Sequence, residues 1–349
     1  MFRIRSKNPH NYYSILRNML QICYNCCDNK RHILLFVLFL FTTPIMYLIS
    51  YTPTESQIID DTDICSKLLD IIYNSKKTLC SEKANLRGNK QRIISLSIFG
   101  PKENPLFVDD KFSQFIFPLI DEAKLLFPTW TIRLYSDELT INRLDLKNLS
   151  QLATNIDICN VNQIPIIGNV GEYLSGKLWR FLPALDPMVD LVSSRDLDSP
   201  LLQREQIIIE QFINSSYLFL TMRDHPFHGI PILGGLWTSA LYRNRLLFLR
   251  LFSILLDKNK VQQYSLVHDQ KLLTELIWPR IKRQTLAFDS YTCQQFKEGH
   301  QYPFPTQRSS RDCHLGCVRP CCQNSSNIEL IKPCPKECRP KNHPDWIYC

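Results

Sequence analysis

The hydrophobic pattern divides the chain before any motif is considered. A polar, basic beginning gives way to ILLFVLFLFTTPIMYLISY, residues 33–51, nineteen residues without a charge. That is about the length that crosses a hydrocarbon core as a helix. From residue 91 the pattern changes to short apolar runs alternating with longer amphipathic ones. RIISLSIFG, WTIRLYSD, NIDICNV, VDLVSSRD and YLFLTM have the length and β-branched character of strands. FSQFIFPLIDEAKLLF, GKLWRFLPAL and REQIIIEQFINS carry helical spacing between them. Strands alternating with helices predict an α/β fold, a mostly parallel sheet with flanking helices. The resulting organisation is a tail over 1–32, a transmembrane signal anchor over 33–51, a polar stalk over 52–90, a catalytic-sized domain over 91–307 and a cysteine-rich tail over 308–349.

Charge on either side of the apolar run gives its orientation. Arg3, Arg5, Lys7, Arg17, Lys30 and Arg31 precede it against the single acid Asp28, whereas Glu55, Asp60, Asp61 and Asp63 follow it. By the positive-inside tendency, residues 1–32 face the cytosol and the rest is lumenal, a single-pass type II arrangement suited to the Golgi or ER membrane. A cleaved signal peptide would have a shorter apolar core and a small-residue cleavage site, and TPTESQ follows instead. The sequons at Asn148, Asn214 and Asn324 all fall on the lumenal side, where they are candidate glycosylation sites.

The formal charge of +8 is concentrated at the two ends, and the 28 bases and 28 acids of residues 33–307 cancel. A folded middle without a net basic field argues against nucleic acid as a partner. Of fourteen cysteines, eleven follow the anchor and seven of these lie between Cys313 and Cys349. Their spacing does not match the usual zinc ribbons, and an oxidising lumen favours disulfides. Eleven is odd, so one thiol is left free or joins two chains as a disulfide-linked homodimer, with Cys65 or Cys80 in the stalk as candidates.

Candidate chemistry begins with Asp196-Leu197-Asp198, where the run VDLVSSRD ends. In open parallel sheets, ligands bind outside the carboxyl ends of the strands. Two hard carboxylates there suit Mn2+ or Mg2+ bridging a diphosphate, although aspartates also serve simply to turn the chain. Arg223, Asp224 and His225 stand at the end of YLFLTM, with His228 three residues on. These histidines could ligate metal or shuttle protons, but a satisfied structural histidine is the commoner case, and Trp179, Trp237 and Trp278 read as core.

The order Lys177-x-x-Arg180, Asp196-x-Asp198, Gly234-Gly235 and Asp269-Gln270 resembles the GT-A glycosyltransferases, including glycogenin-like enzymes. More closely, SRDLDS and MRDHPFHGIPILGG, within WRFLPALDP through FPTQR, resemble a family of glycosyltransferases from bacteria and invertebrates over roughly residues 92–310. The resemblance implies a GT-A fold, a nucleotide-sugar donor, a glycan, protein or lipid acceptor and a divalent cation. It implies that Asp196 and Asp198 hold the metal, that Lys177, Arg180 and Arg195 face the donor, and that Gly234 and Gly235 admit its close approach. Asp269 and Gln270 are implied near the reacting carbon, and Asp224 is a further catalytic candidate at its strand end. The sequence departs from the pattern at Phe288, where a histidine is expected before Asp289, and at Pro200, where a base is more usual. His268, His300 and His314 are candidates for a late metal ligand.

Two other readings compete. Haloacid-dehalogenase-type phosphatases also use an Asp-x-Asp pair, but need Thr or Val where Pro200 stands and place the pair on the first strand. The other alternative is a transferase fold without catalysis that binds glycans or partners.

Overall fold

The computed structural model describes residues 66–100, 113–265, 269–293, 295–296, 299–323 and 332–349, all within one compact unit, Ser56–Cys349. The expected anchor, Cys65, His268 and Asn324 lie outside the described residues, among which no helix is long and apolar enough to cross a membrane.

Eight strands form one sheet in the order β3-β2-β1-β4-β6-β5-β7-β8. They are β1 (Gln91–Ser97), β2 (Thr131–Ser136), β3 (Ile156–Asn160), β4 (Val189–Arg195), β5 (Phe219–Arg223), β6 (Leu236–Ala240), β7 (Thr285–Asp289) and β8 (His300–Tyr302). All pairings are parallel except those that β6 makes with β4 and β5. The expected mixed α/β architecture with a mostly parallel sheet is therefore present, and the five expected strands are found with ends within three residues of those read from the sequence.

The two-residue strand period divides the core between the faces of the sheet. Ile93, Val192 and Phe219 point into one apolar cluster, while Ile94, Leu96, Leu191, Leu220 and Met222 point into the other. Burial on both faces is why these runs read as nearly continuous hydrophobics. Among the flanking helices, α1 (Glu82–Leu86) precedes β1, and α2 (Ile116–Leu126) buries Ile116, Leu119, Ile120 and Ala123, one stripe at helical spacing. Further along are α3 (Glu138–Arg143), α4 (Leu146–Leu152), α5 (Gly176–Trp179), α6 (Gln203–Ile213), α7 (Arg245–Phe252), α8 (Lys258–Ser265) and α9 (Asp269–Leu272).

Three features differ from the sequence reading. The sequence reading does not include β6 (GLWTSA), β7 or β8, and the direction of β6 could not be read locally because it is set by the strands it pairs with. Residues 66–90 do not form a free stalk: Ile72, Leu79, Cys80 and Ala84 are buried in the core. Buried Asp186 fixes this segment by accepting from Thr78 Oγ1 and Leu79 N–H, both at 2.7 Å, and pairs with Arg133 at 2.6 Å. Cys80 is bonded to Cys159, so it cannot join two chains. Lastly, the cysteine-rich tail is tied to the body by Cys293–Cys338, while Cys313–Cys322, Cys317–Cys321 and Cys334–Cys349 close it internally. The disulfide-rich carboxyl end is thus present, and one of its bonds reaches the body of the domain.

Candidate active site

Strand order locates the site. The chain leaves β1 toward β2 and β3 on one side and later returns to β4 on the other, which makes the β1–β4 junction a topological switch point. There β1 runs into Ser97, Ile98 and Phe99, and β4 runs into Asp196, Leu197 and Asp198. Because β6 is antiparallel to β4, with Leu236 opposite Arg195, its beginning lies beside the end of β4 and delivers Gly234 and Gly235 to the same place. A cavity of about 470 Å³ opens there, lined by these residues and by Lys177, Arg180, His228, Asp269, Gln270 and Gly316.

Arg180 is the centre of its electrostatics. Its Nη1 pairs with Asp196 Oδ1, and its Nη2 lies 2.5 Å from Asp269 Oδ2. Burial by itself raises the Asp196 carboxyl, but the Arg180 guanidinium outweighs it and holds the group below the usual carboxylate range. Asp198 goes the other way: burial raises it, and the neighbouring Asp196 charge raises it further. Two carboxylates, only one of them compensated by a guanidinium, are a donor set that a hard divalent cation fits. Among the described residues the one ready-formed group of three ligating side chains is Cys317, Cys321 and Cys322, whose sulfurs are in disulfides, so no third ligand stands ready at the Asp pair.

Both glycines sit directly against acids. A Cβ on Gly235 would lie 2.0 Å from Asp196 Oδ2, and one on Gly234 would lie 2.3 Å from Asp269 Oδ2. Their backbone is fixed on all sides: Gly234 N–H donates to Gln270 Oε1 at 3.0 Å, Ser194 Oγ donates to Gly234 O at 2.8 Å and Arg195 Nη1 donates to Gly235 O at 3.2 Å. Lys177 is exposed at the rim.

Lys177, Arg180, Asp196, Asp198, Gly234, Gly235, Asp269 and Gln270 are thereby brought together, although they come from four separate segments. Arg195 and Asp224 are not. Arg195 has no exposure and pairs with buried Glu205 at 3.2 Å, because a side chain on this strand face points into the protein. Asp224 is fully buried between Arg204 at 3.0 Å and Arg308 at 2.9 Å, with Ser290 Oγ and Leu315 N–H also donating to it. Burial opposes its charge, but those two guanidiniums hold its carboxyl far below the usual range. It is a structural anion out of reach of a ligand in the cavity.

His225, His228 and His314 cluster at one wall, with ring centres 4.4 to 6.1 Å apart and His228 lining the cavity. Burial, reinforced by the neighbouring imidazoles, pushes His228 down to about 3 and His314 to about 4, so both are neutral at ordinary pH. His300 lies on the edge strand β8 against Tyr217, away from the cavity. Trp179, Trp237 and Trp278 are core, as expected. Asn148 and Asn214 are exposed. Sequence reasoning missed Ser97, Ile98, Phe99 and Gly316; the end position on a strand was a usable signal for the first three, and nothing local marked Gly316.

No family model and no curated protein sequence matches the chain. Among solved structures it is similar to S. aureus TarS 1-349, with a TM-score of 0.31 and 11% identity over 48% of this chain and 55% of that one. It is also similar to apo mouse xyloside xylosyltransferase 1, with a TM-score of 0.26 and 14% identity over 50% of this chain and 74% of that one. The chain thus spans about half the length of the first, and neither likeness assigns a residue.

Proposed function

We propose that the chain is a membrane-anchored, metal-dependent glycosyltransferase that moves a sugar from a nucleotide-sugar donor to a lumenal glycan, protein or lipid acceptor. The observation that carries this reading is the charge of the cavity at the switch point. Three carboxylates, Asp196, Asp198 and Asp269, face two cations, Lys177 and Arg180, with His228 neutral. Such a cavity repels an anionic diphosphate unless a divalent cation reverses the local sign. Asp196 and Asp198 would hold Mn2+ or Mg2+, which when bound supplies neutralisation of charge on the departing diphosphate.

The other side chains have distinct tasks in this reading. Arg180 keeps Asp196 ionised and fixes Asp269, the one cavity carboxylate off the metal corner, which we assign to the sugar end of the donor. Gln270 holds the Gly234 backbone, so its part is positioning. Lys177, exposed at the rim, is assigned to the donor phosphates. Phe99, 37% exposed and edge-on to Trp179 at 5.7 Å, offers an aromatic wall to the nucleotide.

The test is binding and hydrolysis of a panel of UDP- and GDP-sugars by the purified full-length chain in detergent, with Mn2+ and with EDTA. Metal-dependent release of sugar is expected. Donor binding indifferent to EDTA, or none at all, would overturn the metal-dependent reading in favour of a glycan- or partner-binding protein without catalysis.

A further inference from the structure

The carboxyl end of the chain, which sequence pattern alone sets apart, supplies part of the cavity wall. Residues 313–322 form a loop closed twice, by Cys313–Cys322 and Cys317–Cys321. Leu315 is fully buried in the core cluster shared with β1 and β4. Gly316, at φ +82°, lines the cavity against Leu236, where a Cβ would come 3.0 Å from Leu236 Cδ1. Three residues on, Arg319 N–H donates to Asp198 O at 2.9 Å.

The side chain of Arg319 completes a second grip on the same corner. Its Nη2 lies 2.5 and 2.6 Å from the two carboxylate oxygens of Glu122 on α2. Glu122 Oε2 in turn accepts from Leu201 N–H at 2.8 Å. The tail backbone and α2 therefore hold the two ends of the segment from Asp198 to Leu201. Between those ends, Arg195 donates to Ser199 Oγ at 3.2 Å and Pro200 O at 2.8 Å. No polar contact joins Arg319 or Glu122 to the Asp198 carboxylate, so whatever they do for it passes through the backbone.

We infer that Arg319 and Glu122 are positioning residues for Asp198: joined across tail and body, they fix the acidic corner so that its carboxylate stands beside Asp196 before a cation arrives. The inference rests on the reading of Asp196 and Asp198 as the metal corner. The physical reason is repulsion between two like charges in one cavity, which a loose corner would relieve by swinging Asp198 away. Outer groups that orient ligands typically govern metal affinity by about ten- to a hundredfold. The sign of the effect separates positioning from electrostatics. Arg319 is itself a cation, so if it acted only through its field, removing it would tighten metal binding.

The experiment titrates Mn2+ alone into the full-length chain in detergent, following free Mn2+ by electron paramagnetic resonance, for wild type, R319Q, R319K and E122Q. Amide hydrogen exchange across residues 196–202 is read without metal, and thermal melts are recorded alongside. R319Q is expected to weaken Mn2+ binding by about tenfold or more, with faster exchange in 196–202 and a melt that still shows a cooperative fold. R319K, which keeps the charge but replaces the planar guanidinium whose Nη2 reaches both Glu122 oxygens, is expected to fall between R319Q and wild type. Equal or tighter Mn2+ binding by R319Q, or unchanged exchange at the corner, would overturn the positioning role while leaving the metal site intact. Absence of Mn2+ binding by wild type would instead overturn the metal reading and the inference with it.

Discussion

Asp196 and Asp198 sit two residues apart on a strand-to-loop corner but in opposite electrostatic states, one compensated by Arg180 and the other raised by burial and by its neighbour. That asymmetry makes Asp198 the more informative substitution. Asp198→Asn preserves size and hydrogen bonding and leaves the Arg180 pairs untouched, yet removes a charge that the proposed cation would require. Mn2+-dependent turnover of donor is expected to fall by orders of magnitude with little change in the melting temperature. Unaltered turnover would show that the pair only turns the chain, since Asn serves nearly as well as Asp in an Asx-turn. Gly235→Ala tests the same corner without altering charge. Its new methyl would lie 2.0 Å from Asp196 Oδ2, so the carboxylate must move and Mn2+ affinity is expected to drop by roughly tenfold or more.

At the scale of elements, the structure depends on buried ion pairs where strands meet tail and helix. Asp224, at the end of β5, joins Arg204 on α6 to Arg308, and its N–H partner Leu315 belongs to the tail. Breaking such a buried set by removing one partner typically costs about 3–5 kcal/mol. Asp224→Ala is therefore expected to destabilise the fold by that order in urea unfolding, whereas a catalytic role alone would leave stability unchanged. The pH dependence has a definite sign. The carboxyl is held far below its unfolded value of about 3.9, so its contribution is fully present above about pH 4 and is lost as pH falls toward the folded value. Unfolding free energy measured from pH 6 downward should decline more steeply in wild type than in Asp224→Asn. Parallel curves would show that Asp224 does not carry the acid limb.

For the whole molecule, two features concern the compartment. Five disulfides account for ten of the eleven cysteines that follow the expected anchor, leaving Cys65, which lies outside the described residues, as the candidate for a bond between chains. Peptide mapping of the unreduced protein is expected to recover Cys80–Cys159 and Cys293–Cys338, the two bonds that join distant segments. Stoichiometric zinc with the tail thiols reduced would support a metal module instead. Topology is tested by protease treatment of intact microsomes: everything after Tyr51 should be protected until detergent is added, and digestion without it would sink the type II assignment.

The sequence by itself determined the alternation of strands and helices and the placement of the acidic pair at a strand end, because both follow from local periodicity and local chain direction. It also nominated Lys177, Arg180, Gly234, Gly235, Asp269 and Gln270, although only as members of an ordered series. Tertiary structure alone decided that β6 runs against its neighbours, since direction depends on which strand it pairs with rather than on its own residues. Register decided that Arg195, one residue before Asp196, points into the protein and pairs with Glu205 instead of facing the cavity. Long-range contact decided the rest: Cys80 found Cys159 across a separation of 79 residues, and Arg319 found Glu122 across 197. Such partners leave no mark in the local pattern, because the free energy that selects them comes from packing and charge pairing that exist only once the chain has folded.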